Sequence, residues 1–234
     1  MPNRATGLPW ERLDSAPQGE EEEARASRGR LSTQAIVDTA IALADVDGLD
    51  AVSIRRVAAV LGVRPMSLYT HIVSKDELLA LMSNELMGTL IVEAPLPDDW
   101  REALTVIARR IFKMYASHRW LLGLLARRPR PGPNVTRQAK QLARAVESLR
   151  LPADEMWTLL SIFNDYILGH ALRVATTGVT SDFVDRLSAR DRAELPEVAA
   201  LANTDETRRS GEVFELGLQV VLDGLEARFV SSRR

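Results

Sequence analysis

The 234-residue chain contains no cysteine. Disulfides, thiol catalysis and cysteine metal sites are therefore excluded. No uninterrupted apolar run approaches the roughly 18 residues that span a bilayer. The N-terminus lacks the basic-then-apolar layout of a secretion signal, so a cytoplasmic protein is expected. There is no strand-like alternation of useful length and no repeat. Gly-x-Ser-x-Gly, His-Glu-x-x-His, a Walker loop and Gly-x-Gly-x-x-Gly are all missing, which leaves an enzyme as a minor alternative. Asp165 and His170 are five apart on one helix and point to different sides. No cofactor and no metal site are expected. What remains is a chain with 46% hydrophobic and 26% charged residues, enough for a proper core and ordinary for a soluble protein.

The net charge of −2 conceals local asymmetry, and DNA responds to charge within a Debye length of about 8–10 Å. Residues 101–150 are strongly basic, with Glu102 and Glu147 as their carboxylates, whereas residues 181–226 are rich in Asp and Glu. Either these segments pair with each other or face water, or the basic one meets an anionic ligand or a DNA flank.

The most informative stretch is 53–77. Ser53 can cap a helix whose Ile54, Val57, Ala58 and Leu61 form one buried stripe. Gly62 supplies a sharp exit and Val63 plugs the corner. A short helix over about 64–72 follows, with Pro65 in its first turn. Leu68 and Ile72 share its inner face. Met66 and Thr70 lie opposite, flanked by Ser67, Tyr69 and His71. So little apolar surface and so much polar chemistry suit insertion into a DNA major groove, as in a helix-turn-helix.

Around this pair the chain reads as all-α. Residues 1–29, with three prolines and glutamates at 20–23, read as a disordered tail. Arg28 and Arg30 either form a basic arm for the minor groove or touch nothing. Helix 1 is expected from Ser32 or Thr33 to Val46, with Ile36, Ala40 and Leu43 inward. Ser74 and Glu77 make a capping box opening a helix over 75–92. Further helices are expected at 100–118, 120–127, 134–149, 154–176 and 207–229, with 178–206 irregular or partly helical. The domains are then a tail (1–29), a helix-turn-helix domain (30–78) and a larger regulatory domain (79–234).

Residues 31–81 resemble the tetracycline-repressor (TetR) family of transcriptional regulators. The resemblance rests on Gly-Leu-Asp-Ala-Val-Ser-Ile-Arg-Arg-Val-Ala (48–58), Leu61-Gly62-Val63, and Met66-Ser67-Leu68-Tyr69 followed by His71, Lys75 and Leu78. The C-terminal half is more weakly similar to the regulatory domain of the tetracycline repressors themselves, at Trp100, Ser117-His118-Arg119 and Arg128-Pro129. The family implies a homodimer, a palindromic operator, a small-molecule pocket and ligand-released repression. A regulator without an effector is the alternative. Matching positions make Arg55 a reader of guanine O6 and N7. Met66, Ser67, Thr70 and His71 then lie on the recognition helix, with Met66 toward a thymine methyl. Pro65 is included in the DNA-binding set, and Tyr69, Lys75, Ser53 and Arg56 face phosphates. This chain departs from the tetracycline repressors in the position of Pro65 and in having Thr70 where they carry a bulky aromatic, so the operator sequence cannot be transferred.

Ligand-pocket candidates are Phe112, Tyr115, His118, Trp120, Trp157, Phe163, Asn164, Tyr166 and His170, a set of aromatic and polar residues suited to a small apolar or aromatic effector. Most such aromatics in a helical domain are plain core. Positions matching the metal- and drug-binding residues of the tetracycline repressors fall near Ile91, Ile107 and Leu124–Leu125, all aliphatic, so recognition of magnesium–tetracycline is not expected. In the last helix Gly217 and Gly224 lie seven apart beside Val220 and Val221. A helix-interior glycine costs up to about 1 kcal/mol relative to alanine. Close approach of a partner helix would offset it and make these four residues a dimer face; packing against helix 154–176 within the chain is the alternative.

Overall fold

The computed structural model describes residues 31–127, 129–175 and 206–231, together with Trp10 and Arg190. The expected tail (apart from Trp10), Arg30, and the region 178–206 apart from Arg190 and Glu206 lie outside the described residues. Among the described residues there is helix and no strand. The α-helices are α1 (Thr33–Asp47), α2 (Ile54–Val60), α3 (Pro65–Leu68), α4 (Lys75–Thr89), α5 (Trp100–Ser117), α6 (Trp120–Ala126), α7 (Pro133–Ala145), α8 (Ala153–Ala175) and α9 (Glu206–Phe229). Short 3-10 turns occupy Leu49–Ala51 and Glu147–Leu149.

Contacts group the chain into two compact units. One joins the residues up to Pro95 with Ser117–Leu142; the other joins Leu96–Ala116 with the residues from Ala143 onward. The first unit therefore takes in α6 and most of α7 besides the helix-turn-helix, and α4 belongs to it entirely, although the sequence reading drew its boundary at 78.

In the first unit, side-chain caps start three helices. Ser32 Oγ accepts from the Ala35 N–H at 3.1 Å, Ser53 Oγ from Arg56 N–H at 3.2 Å, and Ser74 Oγ from Glu77 N–H at 3.1 Å. Each satisfies an N–H that the helix leaves unpaired. The core gathers Ile36, Val37, Ala40, Ala44, Val57, Leu68, Ile72, Leu78 and Met82. Full burial of each large apolar side chain contributes about 1.5–3 kcal/mol. Leu43, expected inward, is only half-buried, and Val37 and Ala44 turn in instead. Leu61 is half-buried too, because α2 ends at Val60 and Gly62 turns the chain at φ 69°. α4 stops at Thr89, three residues short of the expectation.

In the second unit α5 buries Trp100, Leu104, Ile107, Ala108 and Ile111 along one face. α8 turns in Leu159, Phe163 and Ile167, and α9 turns in Phe214, Leu218, Leu222, Leu225 and Phe229. Spacings of three and four place these on one stripe of each helix. α9 also answers the basic segment. Arg101 pairs with Asp223 and Glu226, and Arg109 grips Glu215 through two bonds of 2.8 Å. That bond holds the Glu215 carboxyl below its ordinary range.

Candidate nucleic-acid interface and effector site

α3 is one turn long, not the nine residues expected. Arg64, extended at ψ 141°, precedes it, and Pro65 takes the first turn, where no N–H is needed. After Leu68 the chain continues in tight turns: His71 N–H and Ile72 N–H both reach the Leu68 carbonyl at 2.9 Å. Leu68 and Ile72 are fully buried, and these two anchors fix the outward face. Met66 is 73% and Tyr69 46% exposed; Pro65 and Thr70 are exposed, while Ser67 and His71 are half-buried. Thr70 Oγ1 donates to the Ser67 carbonyl at 2.7 Å, which leaves its lone pairs outward as acceptors.

The cations frame this turn differently. Arg55 is exposed and has no ion-pair partner among the described residues. Arg56, also exposed, is held by Asp47 at 2.5 Å, so a phosphate must compete with that carboxylate. Ser53 accepts a bond as a cap, and its own O–H remains free to donate to phosphate. Lys75 opens α4 directly after Ser74. Glu77, only 6% exposed, reaches back to the Val73 N–H at 2.6 Å. The expected capping box thus forms in a shifted version, with Glu77 bonding the residue before the cap, and it ties the start of α4 to the end of the α3 turn.

The expected ligand residues divide between the two units. His118 and Trp120 lie in the first, both on Asp45: His118 Nδ1 is 2.7 Å and Trp120 Nε1 2.6 Å from the same carboxylate oxygen. In the second unit Phe112 stacks on Phe214 at 4.2 Å and 13°, and Tyr166 lies over Phe214 at 5.8 Å. His170 meets the edges of Phe112 and Phe214. Phe163 is core, with no exposure. Trp157 is 74% exposed in the protomer. Asn164 turns its amide back to the Leu160 carbonyl at 2.9 Å, within its own helix. Burial pushes the Tyr115 phenol up to about 12, which keeps it a donor. A shallow groove of ≈ 520 Å³ runs past Arg101, Thr105, Arg109 and Gln219; no expected ligand residue lines it.

Gly217 has a close neighbour on α8 within the chain. A Cβ there would lie 2.4 Å from the Tyr166 hydroxyl of the same chain, and that hydroxyl donates to the Phe214 carbonyl at 2.7 Å. The close neighbour is internal. Around Gly224, by contrast, nothing lies within 4 Å; Val220 is 62% exposed and Val221 half-buried. Phe214, the hub of the aromatic group, was missed in the sequence. Its membership of the 214/218/222/225/229 stripe was the available signal.

Comparisons with known proteins agree with this geometry. Residues 36–82 match the family of bacterial regulatory proteins, tetR family, and residues 94–229 match the tetracyclin repressor-like C-terminal domain. The HTH-type transcriptional repressor DrrR1 of Streptomyces coeruleorubidus is 32% identical over 229 residues, covering 90% of this chain and 83% of that protein. The crystal structure of ActR from Streptomyces coelicolor in complex with (S)-DNPA is 29% identical, with a TM-score of 0.67 over 86% of this chain and 99% of that one; ActR is also solved with actinorhodin. The tetracycline repressor protein class E of Escherichia coli is 25% identical, covering 85% of this chain and 92% of that protein. The helix-turn-helix, the all-α fold and both matched segments lead to one conclusion: the chain belongs to the TetR family and is a DNA-binding transcriptional repressor.

Proposed function

We propose that this repressor acts in the cytoplasm as a homodimer on a palindromic operator and is released by a small apolar or aromatic effector, with no enzymatic activity. Residues 30–78 are the DNA-binding domain and 79–234 the regulatory domain. Arg55, Met66, Ser67 and Thr70 read base edges; Ser53, Arg56, Tyr69, His71 and Lys75 hold phosphates; Arg30 reaches the minor groove. The observation that carries this reading is the α3 turn, whose two apolar residues are buried while Met66, Tyr69 and Thr70 face out.

Dimerisation is supported by an uncovered apolar face. Trp157, Leu168 and Leu172 on α8, and Val213, Leu216 and Val220 on α9, are each 41% exposed or more. Two recognition helices brought about 34 Å apart would meet successive major grooves. The effector class is supported by the aromatic group Phe112, Tyr166, His170 and Phe214, and by ActR being solved with small molecules bound. At the positions matching the drug- and metal-binding residues of the tetracycline repressors stand Ile91, Ile107, Leu124 and Leu125, so tetracycline is not the effector. Among the described residues no helix is long and apolar enough to cross a membrane. Selection of bound duplexes from a random pool, with sedimentation of the free protein, tests the reading. A palindromic consensus and a dimeric mass are expected; a monomer, or no enriched sequence, would overturn it.

A further inference from the structure

α4 carries the recognition turn at one end, and at the other it is held by α7 through four hydrogen bonds. Asn134, in the first turn of α7, donates its backbone N–H to Asn84 Oδ1 at 3.0 Å and its Nδ2 to the Asn84 carbonyl at 2.9 Å. Two turns further along, Gln141 donates Nε2 to the Leu90 carbonyl at 3.2 Å and accepts from the Val92 N–H at 2.7 Å. Leu90 and Val92 lie at and just past the end of α4, where backbone groups lack helical partners. Gln141 is 8% exposed, so an apolar side chain in its place would leave those groups unsatisfied in a dry site.

Two glycines permit this contact. A Cβ on Gly88 would fall 2.7 Å from Asn134 Nδ2, and one on Gly132 would fall 2.1 Å from Asn84 Oδ1. Three of the four bonds reach backbone on the α4 side, at the carbonyls of Asn84 and Leu90 and the N–H of Val92, so the clamp holds the α4 backbone and not merely a side chain. The capping box of Ser74 and Glu77 then passes that setting to α3. All of these residues belong to one compact unit. The contact-making side chains of α3 are not part of the clamp.

We infer that Asn134 and Gln141 are positioning residues for DNA reading: they set the angle of α4, and thereby the placement of each recognition turn against its half-site. The inference rests on the dimeric reading above, since what α4 controls is the separation of two heads. Cationic Arg137, Lys140 and Arg144 are exposed on α7, whereas Gln141 and Leu142 are buried. Arg137 also donates to Asn134 Oδ1 at 3.3 Å, so the charged face meets the clamp at that one residue.

The test uses the full chain and duplexes carrying two half-sites at varied spacing. The parent is expected to prefer one spacing. Q141L and N134A should lose that preference, and their affinity for the parent's best duplex should fall about tenfold or more. Their binding to unrelated duplex at low salt should stay at the parent's level, because the phosphate-facing cations are untouched. Variants that keep the parent's spacing preference and affinity would overturn the inference. So would specific and non-specific binding that fall together with helical content, since that marks a merely structural role. Should Q141L not fold, N134A and N84A, at less buried sites, decide the matter. A parent that enriches isolated half-sites would instead overturn the dimeric reading.

Discussion

The carboxylate of Asp45 accepts the indole N–H of Trp120 at 2.6 Å, tying the end of α1 to the first residue of α6. The same oxygen lies 2.7 Å from His118 Nδ1. Trp120 is 9% exposed, and a hydrogen bond to a charged group typically contributes about 1.5–3 kcal/mol. W120F keeps most of the apolar bulk and removes the donor. Urea denaturation should show a loss of about that size; a loss under about 0.5 kcal/mol would mean that the bond contributes nothing.

Arg55 and Lys75 should fail in different ways. K75A should weaken binding evenly across sequences and flatten the salt dependence by about 0.9 in slope, as one lost phosphate contact does. R55A should relax preference at one base pair in each half-site, at a cost of about 1–3 kcal/mol. Titrations of matched and mismatched duplexes over a salt series separate the two. Equal effects on all duplexes from both variants would contradict the assignment.

Gly217 and Gly224 make a paired experiment. G217A gains up to about 1 kcal/mol of helix propensity but drives a methyl into Tyr166, whose hydroxyl is already bonded to the Phe214 carbonyl. Net destabilisation is expected in thermal melts. G224A meets nothing within 4 Å in its own chain and should not destabilise the protomer. If a partner helix lies there, sedimentation will show G224A dissociating at concentrations where the parent stays dimeric.

L216E probes the uncovered face directly. Leu216 is 69% exposed, so a carboxylate costs little in a lone protomer. In the centre of an apolar interface it would be buried without a partner. The variant should sediment as a folded monomer and lose most of its operator affinity. A dimer that survives L216E intact would place the interface elsewhere.

Tyr115 gives an alkaline signature. Its phenol titrates near 10 unfolded and is pushed up to about 12 by burial. A raised pKa stabilises the fold fully below pH 10, and that stability is lost as pH climbs from 10 toward 12. Across that span the loss is about 2–3 kcal/mol. Denaturation midpoints of the parent should therefore drop more steeply than those of Y115F across that window. Parallel curves would show that the phenol is hydrated.

Much of the helical layout was legible because its signals are local. Ser32, Ser53 and Ser74 each sit three residues before the N–H they cap, and a cap depends on nothing further away. The buried pair Leu68 and Ile72 followed from spacing alone. The length of α3 did not: after Leu68 the backbone closes three-residue turns, which the apolar pattern does not distinguish from helix. Leu43 and Val37 exchanged roles because a stripe on α1 can rotate by one position, and only its neighbours decide which way it faces.

Residue identity by itself determined an all-α chain with capped helices, a segment around Met66–His71 bearing polar chemistry outward, and the absence of any thiol chemistry; all of these are set within a few residues of backbone. Tertiary structure alone decided that Gly217 makes room for Tyr166, that Trp157 faces outward, that His118 and Trp120 share Asp45, and that Asn134 and Gln141 clamp α4. Apart from the exposure of Trp157, each is a meeting of side chains or backbone groups more than ten residues apart in sequence. Such meetings depend on how helices pack, which helical periodicity constrains to a face but never to a partner.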